Sequence, residues 1–353
     1  MNSLDDPEVY SQFDPDDMLG RIRELPQQCR NAWHKALTLD LPSDYKEIDN
    51  VVVLGMGGSA IGGDLLSSLT ALEGAVPVFI HRDYTLPPQV GGRTLVIASS
   101  YSGMTEETVS SFSQALATPA KKLVLTTGGK LRAMAEERGI SLYLIDYVAQ
   151  PRAALAHSFV PLVAILQKLS LISDKSQDIG EMTQVLEGLK PTIDRDCPST
   201  LNPAKQLAIK LFGRLMVIYG AGILSAVAYR WKTQLNENSK AWAFFEIFPE
   251  LNHNSVVGYK FPAEITGKAF VVLLRSSKLD PQILKRYQAT SELLVHRSID
   301  YEIVEAKGES PLSQMMSLIL FGDYVSYYLA LLYKTDPTPV KAIDYLKREL
   351  GKG

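Results

Sequence analysis

Cysteine is nearly absent from this chain of 353 residues: there are two, Cys29 and Cys197, far apart and in no C-x-x-C spacing. That leaves nothing from which to build a disulfide framework or a thiolate zinc site. Histidine is sparse as well, five in all and scattered. Neither a His-Glu-x-x-His helix nor an acidic run at EF-hand spacing is present, so no metal site and no cofactor are expected. A basic excess is missing too. Lys plus Arg is 36 against 39 Asp plus Glu, a net charge of −3, which gives no means of neutralising a nucleic-acid backbone. One small phosphorylated ligand in a local cage stays open. The acidic start, Met1-Asn2-Ser3-Leu4-Asp5-Asp6-Pro7, lacks the apolar run of a signal peptide. The most apolar stretch, Ser317 to Tyr333, is interrupted by Gly322 and Asp323 and reads as a buried helix, not a membrane span. With 46% hydrophobic and 21% charged residues, the expectation is a soluble, cytoplasmic protein with no nucleic-acid or membrane partner.

What the chain does have is short β-branched runs alternating with helical patterns. Strands are predicted at Val51–Leu54, Val76–Ile80, Leu95–Ala98, Leu123–Leu125 and Leu142–Ile145, mostly apolar without alternation, as in a parallel sheet covered on both faces. Helix-like segments such as Glu106–Leu116 and Leu131–Arg138 lie between them. An apolar helix over Pro151–Leu171 and a more polar one over Gln177–Lys190 follow, then the polar, proline-containing stretch Asp194–Thr200. The rhythm restarts with strands at Leu215–Tyr219, Ala269–Leu274 and Tyr301–Val304. The halves echo each other: Gly55-Met56-Gly57-Gly58-Ser59 is answered by Gly220-Ala221-Gly222-Ile223-Leu224-Ser225, and Ser99-Ser100 by Ser276-Ser277. The predicted fold class is α/β, with two doubly wound subdomains (1–190 and 191–353), mainly parallel sheets and flanking helices. An amphipathic helix over Val340–Leu350 closes the chain.

Two strand-to-helix junctions carry candidate chemistry. At the first, Gly57, Gly58 and Ser59 precede a helix whose N-terminal amides suit an anion. The spacing Gly55-x-Gly57-x-x-Ala60 also fits a dinucleotide, with His81-Arg82-Asp83 placed to supply a ribose acid. At the second, Ser100, Ser102 and Thr105 stand before the next helix. Hydroxyls and amides together can surround the three terminal oxygens of a phosphate monoester without Lys or Arg, and a pyrophosphate needs no such cluster. The plain alternative is that these residues only cap a helix.

Gly55–Leu65, Ser99–Thr108 and the later Arg230-Trp231-Lys232-x-Gln234-x-Asn236-Glu237-Asn238-x-Lys240 together resemble the bifunctional phosphoglucose/phosphomannose isomerases, built from two sugar-isomerase (SIS) subdomains. The resemblance runs from about Leu4 to Leu350. It implies interconversion of glucose 6-phosphate, and mannose 6-phosphate, with fructose 6-phosphate through a metal-free cis-enediol. Proton transfer needs a carboxylate whose pKa lies near working pH, and the family's base falls on Glu237. Its ring-opening histidine falls on His253, in Asn252-His253-Asn254, reaching the partner subunit's site, so a homodimer is expected. An enediolate suits a fixed guanidinium. Arg152, which starts a helix after a strand end, matches the family's arginine. The C-terminal lysine of the family is assigned to Lys347, with Lys341 as runner-up, and Thr338 is the candidate for the small residue that gives the C2–C3 bond room to rotate. His157, on an apolar helix face, is read as a satisfied core histidine. The competing functions are an NAD(P)-dependent dehydrogenase on the Gly-rich turn and a non-catalytic phosphosugar-binding regulator. No effector domain supports the second. An amidotransferase half would need an N-terminal cysteine, which Met1-Asn2-Ser3 does not offer.

Overall fold

Backbone polar groups inside a covered sheet must all pair, and the β-branched runs here do so as parallel strands. In the computed structural model, which describes residues 4–73 and 76–350, an N-terminal trio α1 (Pro7–Phe13), α2 (Met18–Arg23) and α3 (Leu25–Leu37) leads into the first sheet. Its elements run β1 (Asn50–Leu54), α4 (Gly57–Thr70), β2 (Val78–His81), β3 (Thr94–Ser99), α5 (Glu106–Ala115), β4 (Lys121–Thr126), α6 (Gly129–Arg138) and β5 (Ser141–Leu144). The order across the sheet is β2-β1-β3-β4-β5, all parallel, with Val52 beside Phe79 on one side and Val96 on the other.

A 3₁₀ turn at Pro151–Ala154, then α7 (Leu155–Lys168), α8 (Ser176–Ile193) and α9 (Pro203–Leu211), crosses to the second sheet. There follow β6 (Leu215–Ala221), α10 (Ser225–Glu237), β7 (Ala243–Phe248), α11 (Ala263–Thr266), β8 (Ala269–Arg275), α12 (Pro281–His296), β9 (Asp300–Glu305), α13 (Pro311–Leu332) and α14 (Lys341–Leu350). The order β7-β6-β8-β9, again parallel, repeats the first four strands of the other sheet. β7 was not among the predicted strands. Ala243-Phe244-Phe245-Glu246-Ile247-Phe248 lies at a sheet edge and is only partly covered, so its pattern is neither continuously apolar nor alternating.

The duplication extends to backbone geometry. Gly57 and Gly222 occupy the same place after β1 and β6, with φ of 49° and 51°, a left-handed conformation that glycine takes without a Cβ penalty.

One apolar core joins the halves. α13, long and apolar enough to cross a membrane, is almost wholly buried within the chain, packed against α8, α9 and α10. Trp231 of α10 donates to the Leu318 carbonyl (2.9 Å). A Cβ on Gly322 would stand 2.4 Å from that indole, so only glycine fits.

Candidate active site

The parallel topology brings the carboxyl ends of β1, β3 and β5, and the helix starts that follow them, to one edge. Ser59, in the first turn of α4, accepts from the Tyr101 backbone N–H at 2.9 Å, and the Ser99 hydroxyl donates back to the Ser59 carbonyl at 3.2 Å. The two junctions are thereby tied together. Ser100 and Thr105 share a hydrogen bond of 2.8 Å between their hydroxyls. Ser100 Oγ also accepts from Gly103 N–H (3.1 Å) and Ser102 Oγ from Met104 N–H (3.2 Å). Thr105 occupies the N-cap of α5, yet its side chain makes no capping bond. Its hydroxyl points into the cluster instead, so capping alone does not account for this segment.

Tyr101 reaches further. Its hydroxyl donates to the Tyr147 carbonyl (2.5 Å) and accepts from Ala149 N–H (2.8 Å), which fixes the loop running from β5 to Arg152. At Gly58 a Cβ would meet Pro151 and Arg152 backbone atoms at 3.2–3.3 Å. The α4 start therefore abuts the turn that carries the arginine.

Arg152 is 3% exposed, and its donors are largely committed. Nε donates to Asn238 Oδ1, and Nη2 to the carbonyls of Pro337 and Thr338, each at 2.7 Å. Nη1 faces Glu237 Oε2 at 3.6 Å. Burial draws the Arg152 pKa below its ordinary value, with the Glu237 carboxylate opposing that. Behind it, Arg230 donates to the Arg152 carbonyl (2.8 Å) and pairs with buried Asp323 at 3.1 Å. Asn238 is held by Ser326 of α13 (3.0 Å). A buried charge costs several kcal/mol unless paired and hydrogen-bonded, and this shell supplies the partners.

Glu237 closes α10 and opens on a cavity of about 620 Å³ lined by Asn236, Lys240, Asp336, Pro339 and Lys341 among others. Lys240 carried no role in the sequence reading beyond its place in the Asn-Glu-Asn-x-Lys motif. Its Nζ donates to the carbonyls of Glu237 (2.7 Å), Asn238 (3.3 Å) and Pro337 (3.0 Å). Burial, with Arg152 nearby, brings its pKa down to about 8. Thr338 is buried, its carbonyl on Arg152 and its Oγ1 without a partner.

A chain of contacts links these residues: Ser59 to the Ser100–Thr105 loop through Tyr101 N–H, Gly58 to the Arg152 backbone, and Arg152 to Glu237 and the Thr338 carbonyl, while Ser102 is exposed. Two residues stay apart within the single chain. His253 is exposed in the 3₁₀ turn Glu250–His253 after β7. Lys347 lies on α14, none of whose residues is buried; Lys341, at the start of that helix, lines the cavity. His157 is buried and stacked on Tyr147 (5.1 Å between ring centroids). The reading of it as satisfied needs correction, because its Nδ1 has no partner. Asp83, the candidate ribose acid, accepts from the adjacent Tyr84 N–H (2.6 Å), and Arg82 pairs with Asp64.

Residues 200–350 match the bacterial phospho-glucose isomerase C-terminal SIS domain. Over 336 residues the chain is 42% identical to the bifunctional phosphoglucose/phosphomannose isomerase of Caldicellulosiruptor bescii, covering 95% of this chain and 99% of that one. The chain belongs to the bifunctional phosphoglucose/phosphomannose isomerase family. A member from Aquifex aeolicus is 35% identical, with 89% and 94% covered. A solved structure of a hypothetical protein from Thermus thermophilus shares the fold, with a TM-score of 0.70 at 17% identity, covering 98% of this chain and 93% of that one. Membership of the bifunctional phosphoglucose/phosphomannose isomerases makes this chain an isomerase and sets aside the dehydrogenase and sensor readings of its Gly-rich turn.

Proposed function

We propose that this isomerase interconverts fructose 6-phosphate with both glucose 6-phosphate and mannose 6-phosphate by moving one proton between C2 and C1 through a cis-enediol. The observation that carries this reading is the contiguity of a hydroxyl-and-amide cradle with an arginine–glutamate pair. The phosphate sits among Ser59, Ser100, Ser102 and Thr105, over the backbone of Gly57 and Gly58 and the positive ends of α4 and α5. Glu237 takes the proton from one carbon and returns it to the other. The Nη1 edge of Arg152, which faces only the Glu237 carboxylate at 3.6 Å, meets the negative charge that develops on the enediolate oxygen.

Ring opening falls to His253 from a partner subunit and to a C-terminal lysine. Lys341 has the better position in the cavity, and Lys347 lies further along the same helix. A homodimer is supported by the stretch just after His253, where Val257 and Phe261 are 80% and 72% exposed. Apolar surface of that kind, rimmed by polar groups, marks an interface. The test is an assay that starts from fructose 6-phosphate and follows the two aldose 6-phosphates separately. Both are expected to form, and formation of neither overturns the reading.

A further inference from the structure

The segment 334–340 walls the cavity opposite Glu237 and is anchored through its main chain. The Pro337 carbonyl accepts from two cations at once, Arg152 Nη2 at 2.7 Å and Lys240 Nζ at 3.0 Å. The same ammonium holds the carbonyl of Glu237 at 2.7 Å. One side chain therefore bridges the helix end that bears the carboxylate and the wall facing it. Lys240 is in the left-handed region, with φ 55°, a conformation that costs a non-glycine residue roughly 1 kcal/mol and persists where surrounding contacts over-determine it. Charge-assisted bonds to carbonyls are of the strength required.

We propose that Lys240 is a positioning residue: by tying the Pro337 carbonyl to the end of α10, it fixes the width of the cavity over Glu237 and so the partition of product between the two C2 epimers. This rests on the isomerase reading above. Glucose 6-phosphate and mannose 6-phosphate differ in the face of C2 that receives the proton. A single carboxylate can serve both faces only if the enediol turns about C2–C3 between proton removal and return. The room for that turn is bounded by the wall that Lys240 holds. The charged groups acting on its ammonium are Arg152 from the 3₁₀ turn, Glu237 from α10 and Asp336 from the wall; Lys334 and Lys341 line the same cavity. Desolvation of the ammonium, with Arg152 nearby, brings its pKa to about 8, so the charged clamp is present below that pH and weakens above it.

The experiment compares wild type, Lys240→Met and Lys240→Arg, reading kcat, KM and the mannose-to-glucose product ratio from fructose 6-phosphate across pH 6.5 to 9.5. Lys240→Met is expected to lower kcat about tenfold with KM changed by less than about twofold, because the phosphate cradle is untouched, and to move the product ratio by at least about threefold. Lys240→Arg, charged throughout, is expected to restore the ratio and to remove a fall in wild-type kcat above about pH 8. Should the Met variant fail to fold, the alkaline limb of the Arg variant decides alone. A wild-type ratio in Lys240→Met, or an alkaline limb unmoved in Lys240→Arg, overturns the role of Lys240 while leaving the isomerase reading intact. Failure of wild type to form either aldose overturns both.

Discussion

The two sheets are copies in backbone and opposites in use. After β1 the residue two beyond the left-handed Gly57 is Ser59, whose hydroxyl accepts from Tyr101 N–H and so ties the two junctions; after β6 the residue two beyond Gly222 is Leu224, fully buried. After β3 the Ser100 hydroxyl pairs with that of Thr105 and accepts from Gly103 N–H. After β8, Ser276 is bonded to Gln314 Oε1 of α13, and Gln314 Nε2 donates to Ser277 (2.7 Å) and to the Gly308 carbonyl (2.9 Å). Ser276 is thus tied to α13 by an amide side chain, while Ser276 and Ser277 line a cavity of about 970 Å³ at this end of β8. The same turn geometry carries a hydrogen-bonded serine hydroxyl in one copy and a buried leucine in the other. The second copy contributes the helix end with Glu237 instead.

The sharpest way to break this division is Glu237→Gln. Turnover is expected to fall by about 100-fold or more, the scale of a lost general base, with fructose 6-phosphate binding retained in a direct titration. Mixing that variant with His253→Ala is expected to recover part of the activity through hybrid dimers that hold one intact site. Unchanged turnover removes Glu237 from the chemistry.

Next in size is a contrast in buried titratable groups. The second half buries a paired charge, Arg230 with Asp323; the first buries His157 with no charge partner in contact. Burial pushes the His157 pKa down to about 4 from 6.5. The unfolded chain therefore binds more protons between these values, and the stabilisation, complete above about pH 6.5, is lost as pH falls toward 4. Between pH 6.5 and 5 wild type is expected to lose about 2 kcal/mol relative to His157→Phe, which keeps the stack on Tyr147. Parallel denaturant midpoints for the two proteins across that window would refute it.

The smallest effects test the cradle directly. Thr105→Val keeps the shape and removes a phosphate donor, and the KM for fructose 6-phosphate is expected to rise about tenfold, the worth of one hydrogen bond to a charged group. Ser276→Ala, after β8 in the second copy, is expected to leave KM unchanged and to cost about 1 kcal/mol of stability by orphaning Gln314 Oε1. Equal KM effects at both positions would erase the distinction between the copies.

Much of this was legible in the sequence. The covered strands announce themselves by unbroken apolar runs, and the hydroxyl cluster by its density at a helix start. The resemblance placed Arg152 and Glu237 at positions that the fold puts 3.6 Å apart. β7 escaped because an edge strand with half-covered aromatics has no clean period. Lys240 escaped because its role is carried by main-chain carbonyls of residues 237 and 337, and a carbonyl leaves no trace in a one-letter code. Helical spacing alone could not choose between Lys341 and Lys347, since both lie on a polar face whose partner the pattern does not name.

α13 has one more consequence, for how the chain is made. By the time synthesis reaches residue 305 both sheets are written, yet the helix that seats against α8, α9 and α10 is not. Its absence leaves the apolar flanks of those three helices uncovered on the ribosome, and they stay so until some thirty further residues emerge, roughly the span from β9 to the end of α13. Apolar flanks left open over that interval are a surface for aggregation, and for a chaperone to hold.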